Sequence, residues 1–158
     1  MKKLLILVVF GMMGVTACFA QAERLTPQEL AFRNSISQFL KVEGYVPTVD
    51  PEDNSLEWKK EGVKYWLNVY GSSPAYIEIH KAGFGIEDCN RTYLLMACNQ
   101  AMDETRCGKA YVTDSSVSFT IELYCSTIEE FKNVFNRSIS ALDAIKDRVK
   151  KYYNQLDK

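Results

Sequence analysis

Apolar residues recur along this chain at two spacings, and the switches between them divide it into helices and strands. From about Pro27 to Glu43, Leu30, Phe32, Ile36, Phe39 and Leu40 form a helical stripe. Thr26 precedes it as N-cap, Pro27 takes the first helical position and Glu29 completes a capping box. Gly44 supplies the stop, because a residue without Cβ accepts the left-handed backbone that ends a helix. The spacing then shortens to two. Strands are predicted over about Ser55–Lys60, Val63–Tyr70 and Ala75–Lys81, and Glu61-Gly62 forms a two-residue hairpin loop. That loop sets Trp58 opposite Tyr65 and Leu56 opposite Leu67. Keeping Ile77 and Ile79 on the same face centres the next turn on Ser73, with Val69 opposite Ile77 and Leu67 opposite Ile79. The other face then carries Trp66, Tyr70, Tyr76 and His80, an aromatic set on a side expected to meet water.

A second helix is predicted from about Glu87 to Asp103, with Leu94, Leu95, Cys98, Ala101 and Met102 inward. Strands over Arg106–Thr113 and Val117–Tyr124 follow, joined by Asp114-Ser115-Ser116. A third helix starts near Thr127, with Ser126 as N-cap and Glu129 as its capping-box partner. Its apolar positions, Ile128, Phe131, Phe135, Leu142, Ile145, Val149, Tyr152 and Leu156, step by threes and fours, and Ser138 is the polar member of the seam. Such a helix is about 45 Å long, so its last two turns are expected to need a partner. The fold expected is α+β, in the order α-β-β-β-α-β-β-α, with one five-stranded antiparallel sheet and the helices packed on it.

The first twenty residues follow another rule. Lys2 and Lys3 precede an uncharged apolar run from Leu4 to Val15, and small residues follow at cleavage-compatible spacing. This is the layout of a bacterial secretory signal peptide. Cleavage after Ala20 or Ala22 gives a soluble periplasmic or secreted protein. Lipoprotein processing within Val15-Thr16-Ala17-Cys18 would instead leave a lipid anchor at Cys18 in the envelope. The third alternative, an uncleaved membrane anchor, meets a run shorter than the roughly 20 apolar residues of a spanning helix. The expected organisation is a signal peptide over residues 1–20 and a single domain over residues 21–158.

Charge narrows the function classes. The chain has 19 basic and 20 acidic residues, and removing Lys2 and Lys3 takes the net charge from −1 to about −3. The basic residues are dispersed, so no nucleic-acid footprint is visible. Four cysteines remain, Cys89, Cys98, Cys107 and Cys125, spaced C-x8-C-x8-C-x17-C. None forms the tight pair of a zinc site, and no metal or cofactor is expected. Asp50, Glu52 and Asp53 lack the glycine and ligand ladder of a calcium loop and read as a solvated turn. In an oxidising compartment Cys107 and Cys125 are the expected disulfide, since they begin one strand of a hairpin and end the other. The fit is imperfect, because Cys107 falls opposite Glu122 or Leu123. Cys89 and Cys98 are about 13.5 Å apart along one helix and cannot bridge each other. Cys98 is expected to be a buried free thiol.

Three phrases carry a resemblance: FLKVEGYVPTVDPED, LEWKKEGVKYWLNV and LLMACNQAMDETRCGKAYV. With the element order they resemble the YbjN-like domains, which share the fold of type III secretion chaperones. The matching positions are Phe39-Leu40, Glu43-Gly44-Tyr45, Glu61-Gly62, Ala97 with Asn99, and Lys109, across about residues 27 to 153. The resemblance implies a homodimeric α+β domain that binds proteins or peptides and has no known chemistry. Secretion chaperones are cytoplasmic, and the exported character of this chain departs from them. That leaves an extracytoplasmic binding module.

The single histidine, His80, is the one obvious general base, and nucleophilic catalysis would need it beside a cysteine or serine. No G-x-S-x-G, H-E-x-x-H, P-loop or dinucleotide-binding fingerprint occurs. Glu129-Glu130 is explained by helix capping. The reading is a non-enzymatic protein- or peptide-binding module acting through Trp66, Tyr70, Tyr76 and His80. The alternative is a small extracytoplasmic enzyme using His80 with a cysteine or a carboxylate. The ligand itself is not written in the sequence.

Overall fold

The computed structural model describes residues 25–71 and 73–158. The leader, its cleavage sites and Cys18 lie outside the described residues. Three helices and six strands follow one another as α1 (Pro27–Val42), β1 (Thr48–Val49), β2 (Leu56–Lys60), β3 (Val63–Tyr70), β4 (Ala75–Gly85), α2 (Arg91–Asp103), β5 (Gly108–Val112), β6 (Ser116–Cys125) and α3 (Ile128–Leu156). The strands form one antiparallel sheet in the order β1-β2-β3-β4-β6-β5.

The mixed α+β class and the antiparallel sheet stand as expected, but the sheet has six strands rather than five. The extra strand is β1, two residues pairing Thr48 with Glu57 and Val49 with Leu56. Two residues between Pro47 and Pro51 carry no periodicity, so the segment read as a turn. The inner registers are those expected, Leu56↔Leu67 and Trp58↔Tyr65 on one side and Leu67↔Ile79 and Val69↔Ile77 on the other. Glu61 and Gly62 both adopt positive φ, 52° and 79°. Two such residues make a mirror-image turn whose twist matches that of the strands it joins.

Both caps of α1 form. Thr26 Oγ1 accepts from the Glu29 N–H, and Glu29 reaches back to the Thr26 N–H. At the other end Gly44, at φ 89°, donates to Lys41 and Tyr45 donates to Leu40, which closes the helix in a Schellman motif. Two other boundaries shift. The N-cap of α3 is Thr127, not Ser126, and it accepts from Glu130 rather than Glu129. β4 runs on to Gly85, and α2 starts only at Arg91 behind an Asn90 cap. The two glycines in Lys81-Ala-Gly-Phe-Gly suggest a strand end. Instead the register against β6 shifts between Ala82 and Gly85, and the strand continues past the irregularity.

Alternation splits the sheet into two unlike faces. Leu56, Trp58, Tyr65, Leu67, Val69, Ile77, Ile79, Phe119 and Ile121 are all buried, and they share one core with Ile36 and Leu40 of α1, Leu94 of α2 and the α3 seam. Phe39 meets Phe135 edge to face at 5.2 Å and Phe131 at 6.0 Å, which locks α1 against the first half of α3. The last turns of α3, which the sheet is too small to cover, find partners within the chain. Tyr152 is buried and donates to Glu104, Tyr153 Oη accepts from the Asn90 N–H at 2.9 Å, and Arg148 donates to Thr105 Oγ1 at 2.6 Å. The turns flanking α2 cover the part of α3 that the sheet cannot reach.

One charged residue sits on the core face. Lys81 is 4% exposed and pairs with Asp143 of α3, which also accepts from Tyr65 Oη at 3.3 Å. A buried ammonium is tolerated only with such a partner.

Gly83 marks the tightest backbone approach. A Cβ there would stand 1.9 Å from the Val117 carbonyl oxygen of β6. Gly83→Ala should therefore force the two strands apart and lower stability by about 1–3 kcal/mol. Urea denaturation should show a lower midpoint with an unchanged slope; an unchanged midpoint would mean the bulge absorbs the methyl group.

Candidate functional site

Among the described residues, no helix packs on the second face of the sheet. Its side chains come from the residues that alternate with the core, so the Glu61-Gly62 turn that puts Trp58 and Tyr65 inside puts Trp66 outside. The register arranges them in rows across the strands. One row reads Glu57, Trp66, His80, Thr120, Lys109; the next Asn68, Glu78, Glu122; the third Tyr70, Tyr76, Tyr124.

The four residues singled out in the sequence, Trp66, Tyr70, Tyr76 and His80, all lie on this face. They do not make a single unbroken patch. Trp66 stacks on His80, with centroids 4.9 Å apart and planes 4° from parallel. Tyr76 stacks with Tyr70 at 5.9 Å and with Tyr124 at 5.2 Å. The polar row through Glu78 separates the two groups. Tyr124, 70% exposed, belongs to the second group as fully as Tyr70 does. The sequence gives no sign that the strand of Tyr124 lies beside β4, because the pairing of β4 with β6 skips over α2 and β5.

His80 was expected at the surface. It is on the outer face, yet only 8% exposed, because the Trp66 indole covers it. Its Nδ1 lies 2.8 Å from Thr120 Oγ1 and 3.2 Å from the Tyr111 hydroxyl, and those two hydroxyls are 2.7 Å apart. Nε2 is 3.4 Å from Glu78 Oε2 but makes no hydrogen bond. Burial lowers the His80 pKa from its ordinary 6.5, and the nearby Glu78 carboxylate opposes the shift without cancelling it. The imidazole is therefore neutral at pH 7. No cysteine is among its hydrogen-bond partners.

Charges on the face neutralise one another locally. Lys64 pairs with Glu57 and Lys109 with Glu122, each at 2.5 Å. The Lys109 contact holds the Glu122 carboxyl below its usual range. Tyr76 donates to Glu78 Oε1 at 3.2 Å, and burial together with Glu122 and Glu78 raises its phenol pKa.

The expected Cys107–Cys125 bridge is not formed. All four described cysteines are free. Gly108 pairs with Ile121, which sets Cys107 opposite Glu122, three residues short of Cys125. Cys107 is exposed at the end of β5, while Cys125 is buried. Cys98 is a buried free thiol, as expected, and burial pushes its pKa up to about 11. Among the described residues no group of three or more His, Cys, Asp or Glu side chains could hold a metal ion.

An α+β domain with helices packed on an antiparallel sheet has a solved counterpart. The structure is similar to the crystal structure of YbjN from E. coli, a protein proposed to be a transcription regulator. The TM-score is 0.50 at 13% sequence identity, over 72% of this chain and 88% of that one. This chain has a YbjN-like fold. No protein-family model matches the sequence, and no curated protein matches it.

The buried imidazole makes stability depend on pH with a defined sign. An unfolded chain takes up a proton on His80 near pH 6.5, while the folded chain does so only at lower pH. His80 thus stabilises the fold above pH 6.5, and that contribution is lost as pH falls through its lowered folded-state value. The urea midpoint should fall between pH 7.5 and pH 5 by more in the parent chain than in His80→Gln, whose amide does not titrate. Equal losses in the two proteins would show that the shift comes from other groups.

Proposed function

We propose that the chain is an exported, non-enzymatic module that captures a protein or peptide on the open aromatic face of its sheet. The observation that carries this reading is the pair of aromatic groups, Trp66 over His80 and Tyr70-Tyr76-Tyr124, on a face that no helix covers among the described residues. Aromatic rings with a polar tip are favoured anchors of protein interfaces, since they bury much area while losing little side-chain freedom. The polar row between them offers Asn68, Glu78 and Glu122 as hydrogen-bonding groups for a backbone lying across the strands.

The charge distribution supports a protein partner rather than a nucleic acid. YbjN is described as a regulator, and a regulator working through nucleic acid would want a basic stripe. Here Lys64 and Lys109 are each paired to a glutamate on the same face. The state of His80 supports binding rather than catalysis. Its Nδ1 is engaged by the Thr120 and Tyr111 hydroxyls and its ring lies under Trp66, so the Thr120 hydroxyl beside it is buried away from a substrate. Export follows from the leader sequence and is tested by sequencing the N-terminus of the protein recovered from fractionated cells.

Trp66→Ser combined with Tyr76→Ser should abolish capture of partner proteins from an envelope fraction while leaving the circular dichroism spectrum native. Capture by the double variant at the parent level would remove the face from function. An unfolded double variant would make these rings part of the structural core.

A further inference from the structure

β6 is twice the length of the strand beside it. It has ten residues and β5 has five, and their pairing stops at Ile121. From Glu122 to Cys125 the side of β6 away from β4 has no neighbouring strand among the described residues. An unpaired strand edge is a template for another strand unless something covers it. Beside this edge lies a groove of about 490 Å³ between β6 and the first half of α3, with Leu123 and Cys125 on one wall and Val134 and Arg137 on the other. Val134 is 37% exposed. The groove is thus an open edge with an apolar recess behind it.

We infer that this edge and groove are covered by a second copy of the same chain, related by a two-fold axis perpendicular to the sheet. Such an axis sets β6 antiparallel to its copy and lays the two α3 helices side by side, also antiparallel. Antiparallel neighbours keep like faces together. Tyr124 then lies opposite Tyr124 of the other copy, with Leu123 opposite Cys125 on the groove side.

The charges on α3 fit this symmetry. Glu130 and Arg137 are two turns apart and flank Asn133 and Val134 on the groove wall. An axis midway between them brings each Glu130 to the Arg137 of the other copy, so one pair of side chains supplies two contacts. Arg137 has no ion pair among the described residues. A two-fold interface must be self-complementary, and this wall is so in charge. A stable interface covers about 800 Å² on each partner, more than four strand residues provide, so the α3 wall has to take part. The product is one sheet running through both copies, with the exposed Tyr124 rings adjacent and the two aromatic faces joined. The dimer does not depend on what the face binds.

Sedimentation equilibrium on the protein recovered from cells tests the surface. The parent chain should be dimeric at micromolar concentration. Arg137→Glu sets two like charges against each other twice and should weaken association at least about tenfold. Glu130→Arg should do the same, and an equimolar mixture of the two variants should recover the dimer, because every cross-contact is then attractive. Val134→Asp leaves the Glu130 contact to Ser126 in place and should also dissociate the dimer. The Trp66→Ser, Tyr76→Ser protein should remain dimeric, which separates this surface from the capturing face. A monomeric parent chain at 100 µM would overturn the inference and leave the edge to an extended peptide. A dimer indifferent to Arg137→Glu and Val134→Asp would place self-association elsewhere and overturn it equally.

Discussion

Everything in this molecule depends on a parity set at Glu61-Gly62. A two-residue turn with both residues at positive φ leaves one way for β2 and β3 to pair. That register places Trp58 and Tyr65 together on the side that receives all three helices, and Trp66 on the side that receives none. A slip of one residue would exchange the two sets and bury the charged residues of the outer rows. The hairpin therefore defines the core and the candidate binding face in one step. β4 and β6 extend the same parity across the sheet, from Leu67 to Ile79 to Ile121 inside and from Trp66 to His80 to Thr120 outside.

On the outer face, where no helix packs among the described residues, side chains pack against one another. His80 is the clearest case. It is buried by a single stacked indole and held by two hydroxyls from β5 and β6. Stacking of this kind restrains the rings it involves, and restrained anchors lose less conformational entropy on binding than free ones. Of the two carboxylates between the ring groups, Glu122 is paired with Lys109 and Glu78 accepts from Tyr76.

A YbjN-like fold at 13% identity is understandable from the same constraints. The fold asks for an amphipathic helix, strands of alternating pattern, tight turns of the right kind and a long capped helix. Many residues satisfy each demand. None of these demands fixes the residues of the face that the helices leave open, so a shared fold carries no shared ligand.

The sequence by itself determined the elements that rest on local rules. The capping box at Thr26, the stop at Gly44, the Glu61-Gly62 hairpin, the inner registers of β2, β3 and β4 and the seam of α3 are all set by residues within a few positions of each other. The aromatic side of the sheet was legible for the same reason, since alternation needs only a turn to fix its sense. The tertiary structure alone decided what depends on distant partners. It added β1, because a two-residue strand has no period. It took β4 past Gly83 through a shifted register, and by setting β6 beside β4 it brought Thr120 and Tyr111 to His80 and Tyr124 to Tyr76. It also kept Cys107 and Cys125 apart, since their separation follows from where β5 pairs on β6, and it docked the end of α3 on the turns around α2. Each of these is a long-range contact whose geometry no local pattern contains.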